Sequence, residues 1–285
     1  MMEAEIGGLP PRTPDHVAIR GRQFPLDECV DRKLFDPAYI ARLRQEFLDA
    51  QPFEHLVVDG WFNPVLLQLV HEEFDLFDAR GWKTVAGDHE LTMRSLPSSR
   101  HGPACQIYFG IVNSGWFIDL IAAITGSEEL LPDPKLYGGG LHETRAGGMF
   151  DVHRDFDRHV RHGLHNKMVF ITYLNKGWQA AWGSALELWN TREQVRAIQP
   201  EFGTSVLLLH GPKSYHGHPQ PMTAPDGRTR RSVACYYYQN RYAETERQKR
   251  ISSIFLFPNR YPRLSRAARR VLPPILYDAI KKLVK

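Results

Sequence analysis

From about Lys135 to Asn240 the chain alternates short runs rich in β-branched and aromatic residues with Gly, Pro, Asn and Asp turns. No other feature limits the possible folds as much. "MVFITYLN" (168–175), "ALELWN" (185–190), "TSVLLLH" (204–210) and "SVACYYY" (232–238) read as strands. Many short strands separated by turn signals point to a sandwich or barrel. The segment before them reads as helical. Asp36-Pro37 is an N-cap followed by proline at the first helical position, and Ile40, Leu43 and Phe47 follow at helical spacing. "FEHLVVDGWF" (53–62) reads as a strand and turn. Asn63-Pro64 opens a second helix with Leu66, Leu67, Val70 and Phe74 on one side. Residues 107–126 are expected to form one further helix, ended by Gly126. The organisation expected is a lead-in (1–34), a helical support region (35–134), a β core (135–240) and a basic tail (241–285), integrated in one domain. The tail is expected to be helical, packing its Leu and Ile against the body rather than lying on a membrane.

Composition narrows the function classes. The excess of 36 Lys and Arg over 32 Asp and Glu gives a net charge of only +4, without a clustered groove motif, so nucleic acid is not an expected partner. Cys29, Cys105 and Cys235 are far apart and form no CxxC pair, which argues against a zinc site or a disulfide framework and fits a reducing compartment. No apolar stretch approaches the ~20 residues of a membrane span. The first residues lack the apolar run of a signal peptide. A cytoplasmic protein is the expectation.

Within the β region, "FDVHRDFDRH" (150–159) packs three Asp, two His and two Arg around two Phe and a Val. A solvated loop has no need of the apolar residues, and a core strand cannot bury unpaired charge cheaply. A metal would resolve the conflict. His153 and Asp155 are two apart, so on an extended backbone both point the same way. Two His and one carboxylate on one face of an octahedron are a common iron(II) donor set. "SYHGHPQP" (214–221) offers His216 or His218 as the third ligand, just after an apolar strand. In "GRTRRSVACYYY" (227–238), Arg230, Ser232, Ala234 and Tyr236 share one strand face, while Arg231, Val233 and Cys235 share the other. Arg230 with Ser232, or alternatively Arg231, could grip a carboxylate with a planar guanidinium.

The order His-x-Asp, a Tyr-bearing strand, a distal His and then Arg-x-Ser resembles the iron(II)- and 2-oxoglutarate-dependent oxygenases of the prolyl-4-hydroxylase-like branch. "YLNKGW" (173–178) and "GSALELW" (183–189), with Ser184 in place of a second Gly, add to the likeness, as does "LLPDPKLYGGGLHETRAGGMFDVHRDFDRH" to a bacterial-type subgroup. The resemblance implies an α+β fold with a double-stranded β-helix (jelly-roll) core. It implies His153, Asp155 and His216 as metal and catalytic residues, His218 taking the hydrophobic position two beyond the ligand. It implies Arg230, Ser232 and Tyr173 as the 2-oxoglutarate site, and iron(II), 2-oxoglutarate and dioxygen as cofactors and co-substrates. The retained Asp155 implies a hydroxylase rather than a halogenase. The expected substrate is prolyl, amino-acid-like or another small metabolite or peptide. Arg145 is a candidate for meeting an acidic substrate group, with an outward salt bridge as the alternative. Trp178 and Trp182 are candidates for stacking on substrate, with core packing as the alternative. Asp157, Arg158, His159, Arg161, His162 and His165 are expected to form a polar loop at the pocket mouth. The competing function is a non-catalytic jelly-roll protein that binds sugar or protein.

Overall fold

The computed structural model describes residues 15–240 and 254–256. Strands β1 (His16–Ile19) and β2 (Arg22–Pro25) form a hairpin. Helix α1 (Pro37–Leu48) starts where Asp36 accepts a hydrogen bond from the Ala38 amide. Strand β3 (His55–Asp59) leads to α2 (Pro64–Leu76), capped by Asn63 on the Val65 amide. Next come β4 (Trp82–Ala86), β5 (Glu90–Ser95), α3 (Pro103–Val112), α4 (Gly115–Thr125), β6 (Leu131–Pro132), β7 (Gly140–Thr144) and β8 (Met149–Arg154). The chain continues through β9 (His165–Tyr173), β10 (Leu186–Trp189), β11 (Gln194–Ile198), β12 (Thr204–Leu209), β13 (Tyr215–His218), β14 (Arg230–Gln239) and β15 (Ile254–Phe255).

All strands but the hairpin join one antiparallel sheet, ten of them in the order β11-β10-β13-β8-β5-β7-β14-β9-β12-β3, with β4 paired to β5, β6 to β14 and β15 to β8. The sheet curls into a jelly roll, so strands distant in that order share a core. Leu186 and Leu188 of β10 pack in one cluster with Val206 and Leu208 of β12 and with Tyr173, Ala234, Tyr236 and Tyr238. The opposite face of β9 and β14 carries Met168, Phe170, Val233, Cys235 and Tyr237, which pack against the helices. The two-residue period of β14 therefore divides the barrel interior from the helical layer. No single helix among the described residues is long and apolar enough to cross a membrane.

Three expectations change. Residues 107–126 do not form one helix: α3 ends at Val112, and α4 restarts at Gly115 with a bend of 48°. Both the amide and hydroxyl of Ser114 bond to the Ile111 carbonyl, closing the first helix. Gly126 ends the second with φ 70°. Helix α3 has no side-chain cap of its own. The buried Glu73 carboxylate of α2 accepts from the Ala104 and Cys105 amides instead. A β-carbon on Gly102 would lie 2.3 Å from Glu73 Cδ, so this approach requires glycine. Second, residues 35–134 are not only helical, because β3, β4, β5 and β6 of that region join the main sheet. Third, residues 15–34 of the lead-in form the hairpin and two short 3-10 turns, burying Ile19, Phe24 and Leu34 in the core. The helical tail expected over 241–285 lies outside the described residues, apart from 254–256. There β15 pairs antiparallel with β8, Phe255 opposite His153.

Candidate metal centre

His153 is carried by β8, and Asp155 follows directly after the strand's end. Strand β13 pairs antiparallel with β8 and sets His216 opposite His153. One donor atom from each of His153, Asp155 and His216 lies within 4.8 Å of the others, and all three residues are buried. His153 Nε2 is 3.3 Å from Asp155 Oδ1, and His216 Nε2 is 3.7 Å from Oδ2. His153 Nδ1 donates to the Asp151 carbonyl at 2.7 Å and His216 Nδ1 to the Ser214 carbonyl at 3.1 Å. With Nδ1 protonated, each ring turns its Nε2 lone pair toward the shared point. Two imidazoles and a carboxylate suit a divalent first-row metal.

The choice between His216 and His218 is made by an irregularity in register. The β8–β13 pairing shifts between His216 and His218. A β-carbon on Gly217 would lie 2.8 Å from the Phe150 and Asp151 carbonyl oxygens, so glycine lets the two backbones close there. His218 is buried outside the cluster, its pKa lowered first by burial and then by the charges of Arg230 and His153. Burial also pulls His216 down to about 4, with Asp155 opposing. Burial alone would raise Asp155. The contacts from His153 and His210 and the charge of His216 outweigh it and hold the carboxyl well below the usual carboxylate range.

Two neighbours of Asp155 were not singled out as site residues from the sequence. The Tyr236 hydroxyl donates to Oδ2 at 3.1 Å, and His210 Nε2 lies 3.1 Å from the same oxygen. Tyr236 was legible in principle, because it shares the Arg230 face of its strand. His210 was not, since it simply ends an apolar run.

Arg230 begins β14 on the interior face and is buried. Its Nε donates to the Ser184 carbonyl at 2.9 Å and Nη2 to the Tyr173 hydroxyl at 3.3 Å. It has no carboxylate partner among the described residues. Ser232 stands opposite Tyr173 on one side and His142 on the other. Arg231, the alternative, points into the helical layer. It bonds Asp75 of α2, Glu143, Thr229 and the His71 carbonyl, and its guanidinium is fully engaged there.

Other candidates lie elsewhere. Arg145 is 66% exposed and bonds Glu143 at 2.8 Å, which is the outward salt bridge. Trp178 is buried in a satellite cluster with Met222 and Ala224, its indole N–H on the Gly183 carbonyl, and Trp182 packs edge-on against it. In the loop after Asp155, Arg161 and His162 are exposed and His159 is not. His159 is buried with its Nε2 3.5 Å from Asp133, and its ring contacts Tyr137 and Tyr238.

Residues 139–238 match the family described as the 2OG-Fe(II) oxygenase superfamily. The comparison with curated proteins gives no match. Among solved structures, the chain is similar to a Pseudomonas putida prolyl-4-hydroxylase at 18% identity and TM-score 0.51, covering 71% of this chain and 100% of that one. A Trichoplax adhaerens prolyl hydroxylase in complex with a hypoxia inducible factor peptide fragment aligns at 14% identity and TM-score 0.52, covering 75% and 96%. A 2OG-Fe(II) oxygenase family oxidoreductase from Burkholderia pseudomallei aligns at 8% and 0.51, covering 70% and 91%. At these identities the likeness is one of fold.

Proposed function

We propose that this chain is a 2OG-Fe(II) oxygenase, the superfamily that its residues 139–238 match, and that His153, Asp155 and His216 hold its iron(II) while Arg230 and Tyr173, with Ser232 beside them, hold 2-oxoglutarate. The observation that carries this reading is the pairing of a buried donor triad with a buried arginine that lacks a carboxylate. Iron(II), with 2-oxoglutarate and dioxygen, supplies the oxidising chemistry that couples release of succinate and CO2 to hydroxylation of a C–H bond. The chain's own residues bind and orient. Asp155 contributes the anionic ligand, and Tyr236 fixes that carboxylate by hydrogen bonding to one of its oxygens. Arg230 would receive the distal carboxylate of 2-oxoglutarate, and Tyr173 lies against its guanidinium, 4.9 Å from Cζ to the ring centroid. Leu186, Leu188 and Val206 pack with Tyr173 and Tyr236 in one buried cluster.

The substrate proposed is a prolyl, amino-acid-like or other small molecule or peptide, acted on in a cytoplasmic setting. The prolyl reading draws support from the two prolyl hydroxylases of similar fold. Anaerobic addition of iron(II) and 2-oxoglutarate is expected to give a weak visible band in the wild type. The band should be absent from His153→Ala at the same concentrations. An unchanged band in that variant would remove the triad as the metal site.

A further inference from the structure

Resting on that reading of the metal and 2-oxoglutarate sites, we propose that Arg94, beside Glu90 on β5, is the anchor for a carboxylate group of the substrate. Strand β5 lies between β8, which carries the metal-site histidine, and β7. Glu90 is opposite Phe150 of β8, and Arg94 is opposite His142 of β7. His142 is opposite Ser232, and Ser232 is opposite Tyr173. Cross-strand partners share a sheet face. Arg94, His142, Ser232 and Tyr173 therefore form one row on the interior face that also carries Arg230. The charge of Arg94 is felt by His142, and by Tyr236, whose hydroxyl bonds Asp155.

The bonding of Arg94 leaves part of its fork unused. Nη2 alone reaches Glu90, at 3.2 Å from each oxygen, while the Thr92 hydroxyl also donates to Glu90 at 2.6 Å. Arg94 Nε is sealed from solvent and has no hydrogen-bond partner. The side chain as a whole is 30% exposed, so one end of it faces an opening. Nη1 makes no hydrogen bond among the described residues and is not sealed as Nε is, so it is the N–H that a ligand can reach, and a carboxylate is the acceptor whose geometry fits a guanidinium edge. Arg230 is committed to the co-substrate in this reading. A second cation on the same face calls for a second anionic group. Arg145 does not supply it, because that side chain is turned outward onto Glu143.

The test is iron- and 2-oxoglutarate-dependent succinate release by the full chain with paired L-amino acids and their carboxamides, beginning with L-proline and L-prolinamide. At least one carboxylate should stimulate release over its amide by about tenfold or more, the size of one well-made charged contact. Arg94→Gln should erase that ratio, and Arg94→Lys, which keeps the charge but not the fork, should retain it in weakened form. Melting curves of both variants establish that they fold. Equal stimulation by acid and amide in the wild type, or an unchanged ratio in Arg94→Gln, overturns the assignment. No stimulation by any carboxylate, with substrate-free succinate release intact in the wild type, overturns it too and leaves the oxygenase reading standing. Absence of all succinate release from folded wild-type protein takes down that reading and this one together.

Discussion

The Tyr236 hydroxyl donates to Asp155 Oδ2 at 3.1 Å, tying the strand that opens with Arg230 to the carboxylate of the proposed metal triad. Hydrogen bonds to the outer side of a metal-binding carboxylate orient it, and their loss commonly costs 10–100-fold in affinity. Tyr236→Phe keeps the ring that packs against Phe156 and removes only the donor. Its iron(II) affinity, followed by anaerobic titration, is expected to fall by roughly that factor with the melting temperature of the metal-free protein little changed. An affinity equal to the wild type would show that Asp155 needs no such support.

The adjacent arginines of β14 should separate cleanly into binding and stability. Arg231 is held by Asp75 and Glu143, so Arg231→Met strips Asp75 of its cation and leaves the buried Glu143 with Arg145 alone. Breaking a buried pair from one side costs about 3–5 kcal/mol, and somewhat less is expected here because Asp75 is 66% exposed. Denaturant unfolding should register this loss. Arg230→Met leaves no described carboxylate behind. It should unfold near the wild-type midpoint yet lose 2-oxoglutarate binding by about 2–5 kcal/mol, read by calorimetry. Reversed outcomes would exchange the roles of the two residues.

How far the sequence reached follows from the same residues. The two-residue period of β14 and of His153-Arg154-Asp155 was legible because alternation is a local property. His216 against His218 was not separable by spacing, since the register shift at Gly217 depends on how closely β8 approaches. Arg230 was preferred to Arg231 only through the Arg-x-Ser resemblance: both are buried, and it is the position of α2, which brings Asp75 to Arg231, that distinguishes them physically. Strand β5 escaped notice because its interior residues Glu90, Thr92 and Arg94 are polar. A strand lining a hydrophilic chamber lacks the apolar alternation by which strands are read.

His142 should give the protein a measurable acid sensitivity. Burial first, then the charges of Arg94 and Arg230, push its pKa from 6.5 down to about 4, against hydrogen bonds to the Gly138 and Gly139 backbone. The unfolded chain therefore binds a proton between these two values that the folded chain refuses. The stabilising contribution is fully present above pH 6.5 and is lost as pH falls toward about 4. At ~1.4 kcal/mol per pH unit, this is on the order of 3–4 kcal/mol. His142→Gln should flatten this part of the stability curve, measured as urea midpoints of metal-free protein from pH 7 to 4. Parallel curves for variant and wild type would assign the acid sensitivity to other groups.

Ser184 is a place where the sequence works against its own backbone. Its φ is 55°, a left-handed conformation, and its hydroxyl is buried with no partner among the described residues. Its carbonyl is nonetheless needed, because it accepts from Arg230 Nε. The left-handed conformation costs a residue with a β-carbon about 1–2 kcal/mol, and the unpaired hydroxyl adds to that. Glycine removes both costs but gains freedom in the unfolded chain, which offsets roughly 0.5–1 kcal/mol. Ser184→Gly is thus expected to raise stability by about 1 kcal/mol, with 2-oxoglutarate affinity within about twofold of wild type because the carbonyl stays in place. Ser184→Ala separates the two causes, as it deletes the hydroxyl and keeps the strained conformation. A gain in Ser184→Ala equal to that in Ser184→Gly would assign the whole effect to the buried hydroxyl and none to the backbone.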